Sequence, residues 1–70
     1  MNQIKNFFLN NEHYTTEEEI TLSDLINYFG YNESLLVLEY NQVIFDKNYW
    51  KTTFLQDQDE IEIVTIVGGG

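Results

Sequence analysis

The stretch TLSDLINYFG, residues 21–30, predicts a well-defined helix shortly before the midpoint of the chain. Thr21 suits the N-cap position, and Asp24 three residues later completes a variant of the capping box. Gly30 fits the C′ position, where a left-handed conformation ends a helix. Apolar residues recur at helical spacing and form one stripe, made of Leu22, Leu25, Ile26 and Phe29. We therefore predict a helix with a single buried face.

The residues before this helix predict a β-hairpin. The apolar run IKNFFL, residues 4–9, stops at Asn10-Asn11, a pair that tolerates positive φ and suits a two-residue turn. That turn sets a register with the opposing pairs Leu9–Glu12, Phe8–His13 and Phe7–Tyr14. Phe8 and His13 then share one face, and we expect His13 to be an exposed strand residue rather than a catalyst.

The residues after the helix predict a second strand pair. The nearly continuous apolar run LLVLEY, residues 35–40, is typical of a central buried strand. Asn41-Gln42 then makes a tight turn, and residues 43–45 form a short return strand. Beyond it, Asp46 caps a short helical turn that presents Trp50, which we expect to fill the core.

The final segment predicts the last strand. Residues 56–59 are polar and indicate a turn, and the strand follows over residues 60–67. Ile61 and Ile63 point one way, while the acidic residues between them point the other way. From Val64 onward both faces become apolar.

The predicted order is β-β-α-β-β-(short helix)-β, which indicates an α+β fold with one helix covering one face of a sheet. This is the arrangement of a ubiquitin-like β-grasp domain, with a mixed sheet of four to five strands. By analogy with that topology, the first and last strands lie side by side at the sheet centre. We assign residues 1–67 to the domain and residues 68–70 to a flexible glycine tail.

Composition excludes several classes of function. The chain has 70 residues, no cysteine and one histidine, so it lacks a thiol nucleophile and a histidine cluster, and we do not expect an enzyme. Its formal net charge of −9 disfavours nucleic acids and anionic membranes. The same charge serves solubility or steers a basic protein partner toward the chain.

No targeting segment is visible at the start, and no apolar run approaches the roughly 20 residues of a membrane span. We therefore expect a soluble protein of a reducing compartment, either the cytoplasm or, if the protein is organellar, the plastid stroma.

The carboxyl-terminal stretch DQDEIEIVTIVGGG, residues 57–70, and two segments before it resemble the ThiS family of sulfur carriers in thiamin biosynthesis. LVLEYNQVIFDKNYW, residues 36–50, is similar to the family's VAVELNGEVVPRSEW, and FLQDQDEIEIVTIVGGG, residues 54–70, is similar to VLKDGDEVEIVTAVGGG. NNEHYTTEEEITLSDLI, residues 10–26, resembles NGEEYEIPEGTTLAELL. The family's usual turn glycines and prolines are replaced here by Asn11, Glu17, Glu19, Gln42, Asp46 and Gln58, which affects loops and not the tail.

The resemblance implies chemistry at the carboxyl terminus. A ThiF-like, E1-type enzyme would adenylate the carboxylate of Gly70, which would then become a thiocarboxylate, while Gly68 and Gly69 thread into the partner's active site. The sulfur would come from a cysteine desulfurase and be used by the thiazole synthase ThiG. ATP and magnesium would belong to the adenylating partner, so no metal or cofactor is assigned to this chain. A sulfur carried on Gly70 also fits the absence of cysteine.

Three apolar residues are the candidate partner surface. If Ile61 and Ile63 face the helix, Val64 and Ile66 reach the open sheet face after a twist or bulge, and Phe8 joins them if the first and last strands are neighbours. Exposed apolar patches commonly mark partner sites. The alternative is that these positions are partly buried at the sheet edge or in a crystal dimer.

Two other functions stay open at this stage. The small subunit of molybdopterin synthase shares the fold and the thiocarboxylate chemistry, but its tail usually carries an aromatic or proline pair that VTIVGGG lacks. The other alternative is a β-grasp interaction module whose tail is chemically inert.

Overall fold

The computed structural model describes residues 3–66, which form a five-stranded sheet with one α-helix and two short 3₁₀ helices. In chain order the elements are β1 (Lys5–Leu9), β2 (Glu12–Thr16), α1 (Leu22–Tyr28), a 3₁₀ helix (Glu33–Leu35), β3 (Leu36–Tyr40), β4 (Val43–Ile44), a second 3₁₀ helix (Lys47–Tyr49) and β5 (Asp59–Thr65). This confirms the predicted α+β order.

The sheet order is β2-β1-β5-β3-β4, with β5 in the middle. β1 and β5 pair in parallel through Phe7 and Asp59 at one end and Leu9 and Ile61 at the other, while the remaining pairs are antiparallel. The first and last strands are therefore neighbours in a mixed sheet, as the β-grasp analogy predicted. β3, predicted as the central strand, lies one position away from the centre.

Two tight turns connect the hairpins, and both need left-handed backbone. Asn10 and Asn11 have φ of 50° and 68°, and Asn41 and Gln42 have φ of 51° and 72°. Positive φ at both central residues produces a twist that matches the twist of the flanking strands. The predicted pairing of β1 with β2 is confirmed in full, from Leu9 opposite Glu12 to Phe7 opposite Tyr14.

Helix α1 begins and ends where its sequence predicts. The Asp24 amide donates to Thr21 Oγ1 at 3.1 Å, and the Thr21 amide donates back to Asp24 Oδ2 at 3.0 Å, which completes the capping box. At the other end, Gly30 has φ of 77°, in the left-handed region that favours glycine. Both ends of the helix are therefore encoded locally.

One hydrophobic core lies between α1 and the sheet face that it covers. Its members are Phe7, Leu9, Leu22, Leu25, Ile26, Leu36, Leu38, Trp50, Leu55, Ile61 and Ile63. Trp50 is only 2% exposed, and its indole Nε1 donates to the Phe45 carbonyl at 3.1 Å. The prediction that Trp50 fills the core is confirmed.

Three predicted boundaries are wrong by one residue. Leu35 belongs to the first 3₁₀ helix and Phe45 lies beyond β4. Asp59, predicted in a polar turn, is the first residue of β5, because its backbone pairs with β1. It is buried, and its carboxylate accepts three hydrogen bonds. The predicted end of the last strand is also wrong, because β5 ends at Thr65 and Ile66 lies beyond it; Val67 is outside the described residues.

Candidate docking face and carboxyl terminus

Side chains of β5 alternate between the face of the sheet covered by α1 and the open face, which is exposed to solvent. Ile61 and Ile63 point at the core and are 3% and 7% exposed, whereas Glu62 and Val64 point away from α1 into solvent. The pairing with β3 runs one-to-one along the strand. Val64 therefore reaches the open face by simple alternation, and the twist or bulge that we expected is not needed.

An apolar patch occupies this face where β5 ends. Val64 is 52% exposed and lies opposite Val37 on β3. Ile66 follows the strand, is 53% exposed, and donates its amide to the Leu35 carbonyl at 2.7 Å. We call Val37, Val64 and Ile66, together with the half-exposed Leu35, the terminal apolar patch. Val64 and Ile66 thus come together, as predicted for a partner surface.

Phe8 lies on the same face but not in this patch. It is half-buried beside Glu60 of β5, and its ring is 5.3 Å from that of His13. Four strand residues separate the levels of Glu60 and Val64, which corresponds to about 13 Å. His13 is exposed, as predicted, and its Nε2 pairs with Asn6 Oδ1 at 2.9 Å. The three predicted docking residues are therefore divided between two ends of one face.

The end of the face that carries Phe8 is acidic. Glu39 on β3 stands directly opposite Glu62 on β5, and Glu60 precedes Glu62 on the same face. The three carboxylates and Phe8 line one shallow depression. Like charges that face each other across strands destabilise a sheet, so this arrangement has an energetic cost. The sequence could not show it, because the register between β3 and β5 is not a local property.

A buried carboxylate anchors the start of β5. Asp59 is 5% exposed and accepts hydrogen bonds from Tyr40 Oη at 2.6 Å, Asn41 Nδ2 at 3.1 Å and the Gln56 amide at 2.7 Å. Burial of the Tyr40 phenol, together with its hydrogen bond to Asp59, raises the pKa of Tyr40 well above its usual value. This network joins three elements at the end of the sheet remote from the carboxyl end of β5.

The carboxyl-terminal glycines lie outside the described residues, so the roles assigned to Gly68, Gly69 and Gly70 stay predictions. Two observations on residues 3–66 bear on other functions. The acidic side chains and His13 in that range form no cluster able to hold a metal ion, and none of its helices is long and apolar enough to cross a membrane.

Comparison with known proteins decides the family. The sequence model of the ThiS family matches residues 3–70, almost the whole chain. The chain belongs to the ThiS family. Protein ycf40 of Trieres chinensis is 54% identical over 66 residues, which cover 94% of this chain and 90% of that protein. Protein ycf40 of Porphyra purpurea is 36% identical over 62 residues, covering 89% and 87% of the two chains.

Two further similarities bear on the fold and on the partners of ThiS-family proteins. The crystal structure of ThiS from Geobacter metallireducens superposes with a TM-score of 0.77 at 20% identity, covering 93% of this chain and 99% of that one. The β-grasp fold is therefore confirmed. A thiazole synthase of Magnetococcus marinus is 31% identical over 62 residues, which cover 89% of this chain but only 19% of that protein.

Proposed function

We propose that this ThiS-family protein carries sulfur for thiamin thiazole synthesis on the carboxylate of Gly70. A carboxylate oxygen attacks the α-phosphorus of ATP, and pyrophosphate leaves. The terminal sulfur of a persulfide on a partner then attacks the acyl-adenylate carbon and displaces AMP, which leaves an acyl disulfide. A second partner thiol attacks the inner sulfur of that disulfide, so the S–S bond breaks, the thiocarboxylate leaves and the two partner thiols are oxidised to a disulfide. The chain itself supplies the acyl group and a docking surface, and it acts as a co-substrate rather than as the catalyst.

The observation that carries this proposal is the terminal apolar patch beside the carboxyl end of β5. A tail of Gly68, Gly69 and Gly70 has no Cβ atoms, so it is thin enough to enter a narrow channel in a partner. Ordering such a tail costs about 1–2 kcal/mol per residue, which docking of the folded domain must offset. The half-exposed side chains of Val64 and Ile66 provide apolar surface next to the tail for that docking.

The partners follow from the same proposal. An E1-type, ThiF-like enzyme binds ATP and magnesium and adenylates Gly70, and a cysteine desulfurase supplies the sulfur through partner thiols. A ThiG-type thiazole synthase consumes the thiocarboxylate. The thiazole synthase of Magnetococcus marinus, which includes a segment similar to this chain, supports that last pairing. The acidic half of the open face suits basic surfaces on these partners.

Intact-mass measurement tests the chemistry directly. The purified protein is incubated with ATP, magnesium, a ThiF-type enzyme and a sulfur donor, and the product is mapped by fragmentation. We expect one oxygen to be replaced by sulfur at Gly70, and no change when ATP is omitted. An unchanged mass with enzymes that are active on a second ThiS protein would contradict the proposal and favour an interaction module with an inert tail.

A truncated chain provides the matched control. Removal of Gly70 leaves all described residues in place, so we expect an unchanged fold by circular dichroism and no productive adenylate or thiocarboxylate. Sulfur transfer to the product of a thiazole synthase, rather than to molybdopterin, then separates the thiamin pathway from that of the molybdopterin synthase small subunit.

A further inference from the structure

A second surface lies on the other side of the sheet, between the edge strand β2 and helix α1. An apolar groove of about 530 Å³ runs between these elements, with Phe7 and Leu25 at its base. Tyr14 and Phe29 also line it, and their rings pack edge to face with centroids 5.2 Å apart. Tyr28 stands at the rim, 84% exposed, although an aromatic ring of that size usually finds cover.

The backbone of β2 offers hydrogen bonds along this groove. β2 is an edge strand, so one side of its backbone has no neighbour in the sheet. In a hairpin with a two-residue turn, the residues that flank the turn form a hydrogen-bonded pair, and such pairs alternate with non-hydrogen-bonded ones. Leu9–Glu12 and Phe7–Tyr14 are therefore bonded pairs. His13 and Thr15 consequently direct their N–H and C=O groups outward.

Charge around the strand defines what it would accept. β2 begins at Glu12 and is followed by Glu17, Glu18 and Glu19, so carboxylates bracket it at both ends. Lys5, the cation on the adjacent strand, already donates to the Glu18 carbonyl at 3.2 Å and contacts Glu19 Oε1 at 3.5 Å. The net charge of −9 disfavours a second copy of the chain, a nucleic acid or an anionic membrane as the occupant.

We propose that the edge of β2 and the groove beside it form a second docking site, which takes an extended basic segment of a partner protein as a sixth strand. The added strand lies about 4.8 Å from β2 and bonds to the outward groups of His13 and Thr15. Its alternate side chains fall into the groove against Tyr14 and Phe29, so they are apolar. Lysine or arginine residues at its two ends meet Glu12 and Glu17–Glu19.

This site is separate from the terminal apolar patch, which we propose as the docking surface for the enzymes that act on the tail. β2 lies two strands away from β5, and the groove opens on the side of the sheet that faces α1. A partner held here leaves the terminal apolar patch free. The carrier can therefore remain attached to one protein through β2 while a second protein engages the tail.

A designed peptide tests the proposal without knowledge of the natural partner. The probe KKVTVTVKK has alternating apolar residues and basic ends, and the control KKVVVTTKK has the same composition in block order. Each is titrated into the ¹⁵N-labelled full chain and followed by backbone amide shifts. We expect saturable shifts at His13, Thr15 and Phe29 with the probe, and protection of the His13 and Thr15 amides from hydrogen exchange. No saturation, equal binding of the control peptide, or shifts confined to the open face would overturn the proposal.

A proline substitution separates strand addition from loose electrostatic binding. Thr15→Pro removes an outward N–H and leaves the ladder between β1 and β2 intact, as edge strands tolerate. We expect binding of the probe to weaken by about 3–10-fold, the worth of a hydrogen bond, and Thr15→Val to bind as the parent does. Equal affinity of Thr15→Pro and Thr15→Val would rule out the added strand.

Surface variants test the groove even if Thr15→Pro fails to fold. Tyr28→Ser removes the exposed rim ring, and Glu18→Gln removes one flanking charge; both should weaken the probe several-fold. Glu33→Gln, which removes the same charge outside the groove, is the matched control and should have no effect. Thiocarboxylate formation at Gly70 is measured separately, so failure of this site is distinguishable from failure of the sulfur-carrier proposal.

Discussion

The two sides of β5 differ although they belong to one strand of seven residues. Toward α1 the strand presents Asp59, Ile61 and Ile63, all buried, and toward solvent it presents Glu60, Glu62 and Val64. The covered side joins the core and holds the sheet to the helix. The open side carries opposed carboxylates and exposed apolar groups, neither of which helps folding. The difference supports our proposal that the open side contacts another protein.

Truncation of a covered residue should have the largest effect on stability. Ile61→Ala removes a side chain that is 3% exposed, and we expect the free energy of unfolding to fall by about 2–5 kcal/mol because a cavity remains. Val64→Ala, on the open side of the same strand, should change it by no more than about 0.5 kcal/mol. Urea unfolding of both variants measures the contrast. Similar losses of unfolding free energy would mean that the two sides of β5 contribute equally to stability.

A charge in the terminal apolar patch should have the opposite pattern of effects: it should weaken partner binding and leave stability nearly unchanged. Ile66→Asp places a carboxylate where we propose that an adenylating enzyme docks, so we expect affinity to fall about 10-fold or more, which is roughly 1.4 kcal/mol. The melting temperature should barely change, since Ile66 is 53% exposed. Val43→Asp, at a somewhat more exposed apolar position on β4, is the control. Calorimetric titration that gave unchanged affinity for Ile66→Asp would remove this patch from the interface.

The hydrogen bond between Tyr40 and Asp59, on the covered side of the sheet, should make stability depend on pH in the alkaline range. The pKa of Tyr40 is raised by burial and by its hydrogen bond to Asp59, so the phenol ionises more readily in the unfolded chain than in the folded one. Its stabilising contribution is therefore complete below about pH 10 and is lost as pH rises through its folded pKa. We expect Tyr40→Phe to flatten the fall in unfolding free energy between pH 9 and 11, measured with urea. An identical fall in both proteins would contradict the assigned pKa shift.

The smallest effect should come from relief of the facing charges on the open side. Glu62→Gln removes the repulsion with Glu39, and we expect stability to rise by about 0.2–1 kcal/mol at low salt. The gain should shrink at high ionic strength, which screens exposed charges. Glu33→Gln, which lies in a 3₁₀ helix away from this pair, should not reproduce it. A salt-independent gain would mean that charge repulsion is not the cause.

Much of the architecture could be predicted from residues close together in the chain. Thr21, Asp24 and Gly30 define the ends of α1, and Asn10-Asn11 defines both a turn and the register of a hairpin. The alternation of Ile61 and Ile63 with acidic residues identified the covered side of β5. Each of these patterns depends on residues a few positions apart, so it can be interpreted without knowing the rest of the fold.

The candidate sites were predicted only in part. The glycine tail and the exposed Val64 and Ile66 follow from the sequence and the resemblance, whereas Phe8 was grouped with them although it lies at the acidic end of the face. The buried role of Asp59 was missed, because its partner Tyr40 is 19 residues away in the chain.

The kind and the order of the elements, the one-sided helix, the acidic surface and the carboxyl-terminal glycines could all be predicted from the sequence. The register of β5 against β3, which places Glu39 opposite Glu62, and the position of β2 at an edge beside the groove are visible only in the folded chain. The physical reason is the range of the interactions. Caps, turns and alternation act between near neighbours, whereas strand order depends on how the apolar surface of the whole chain is buried together.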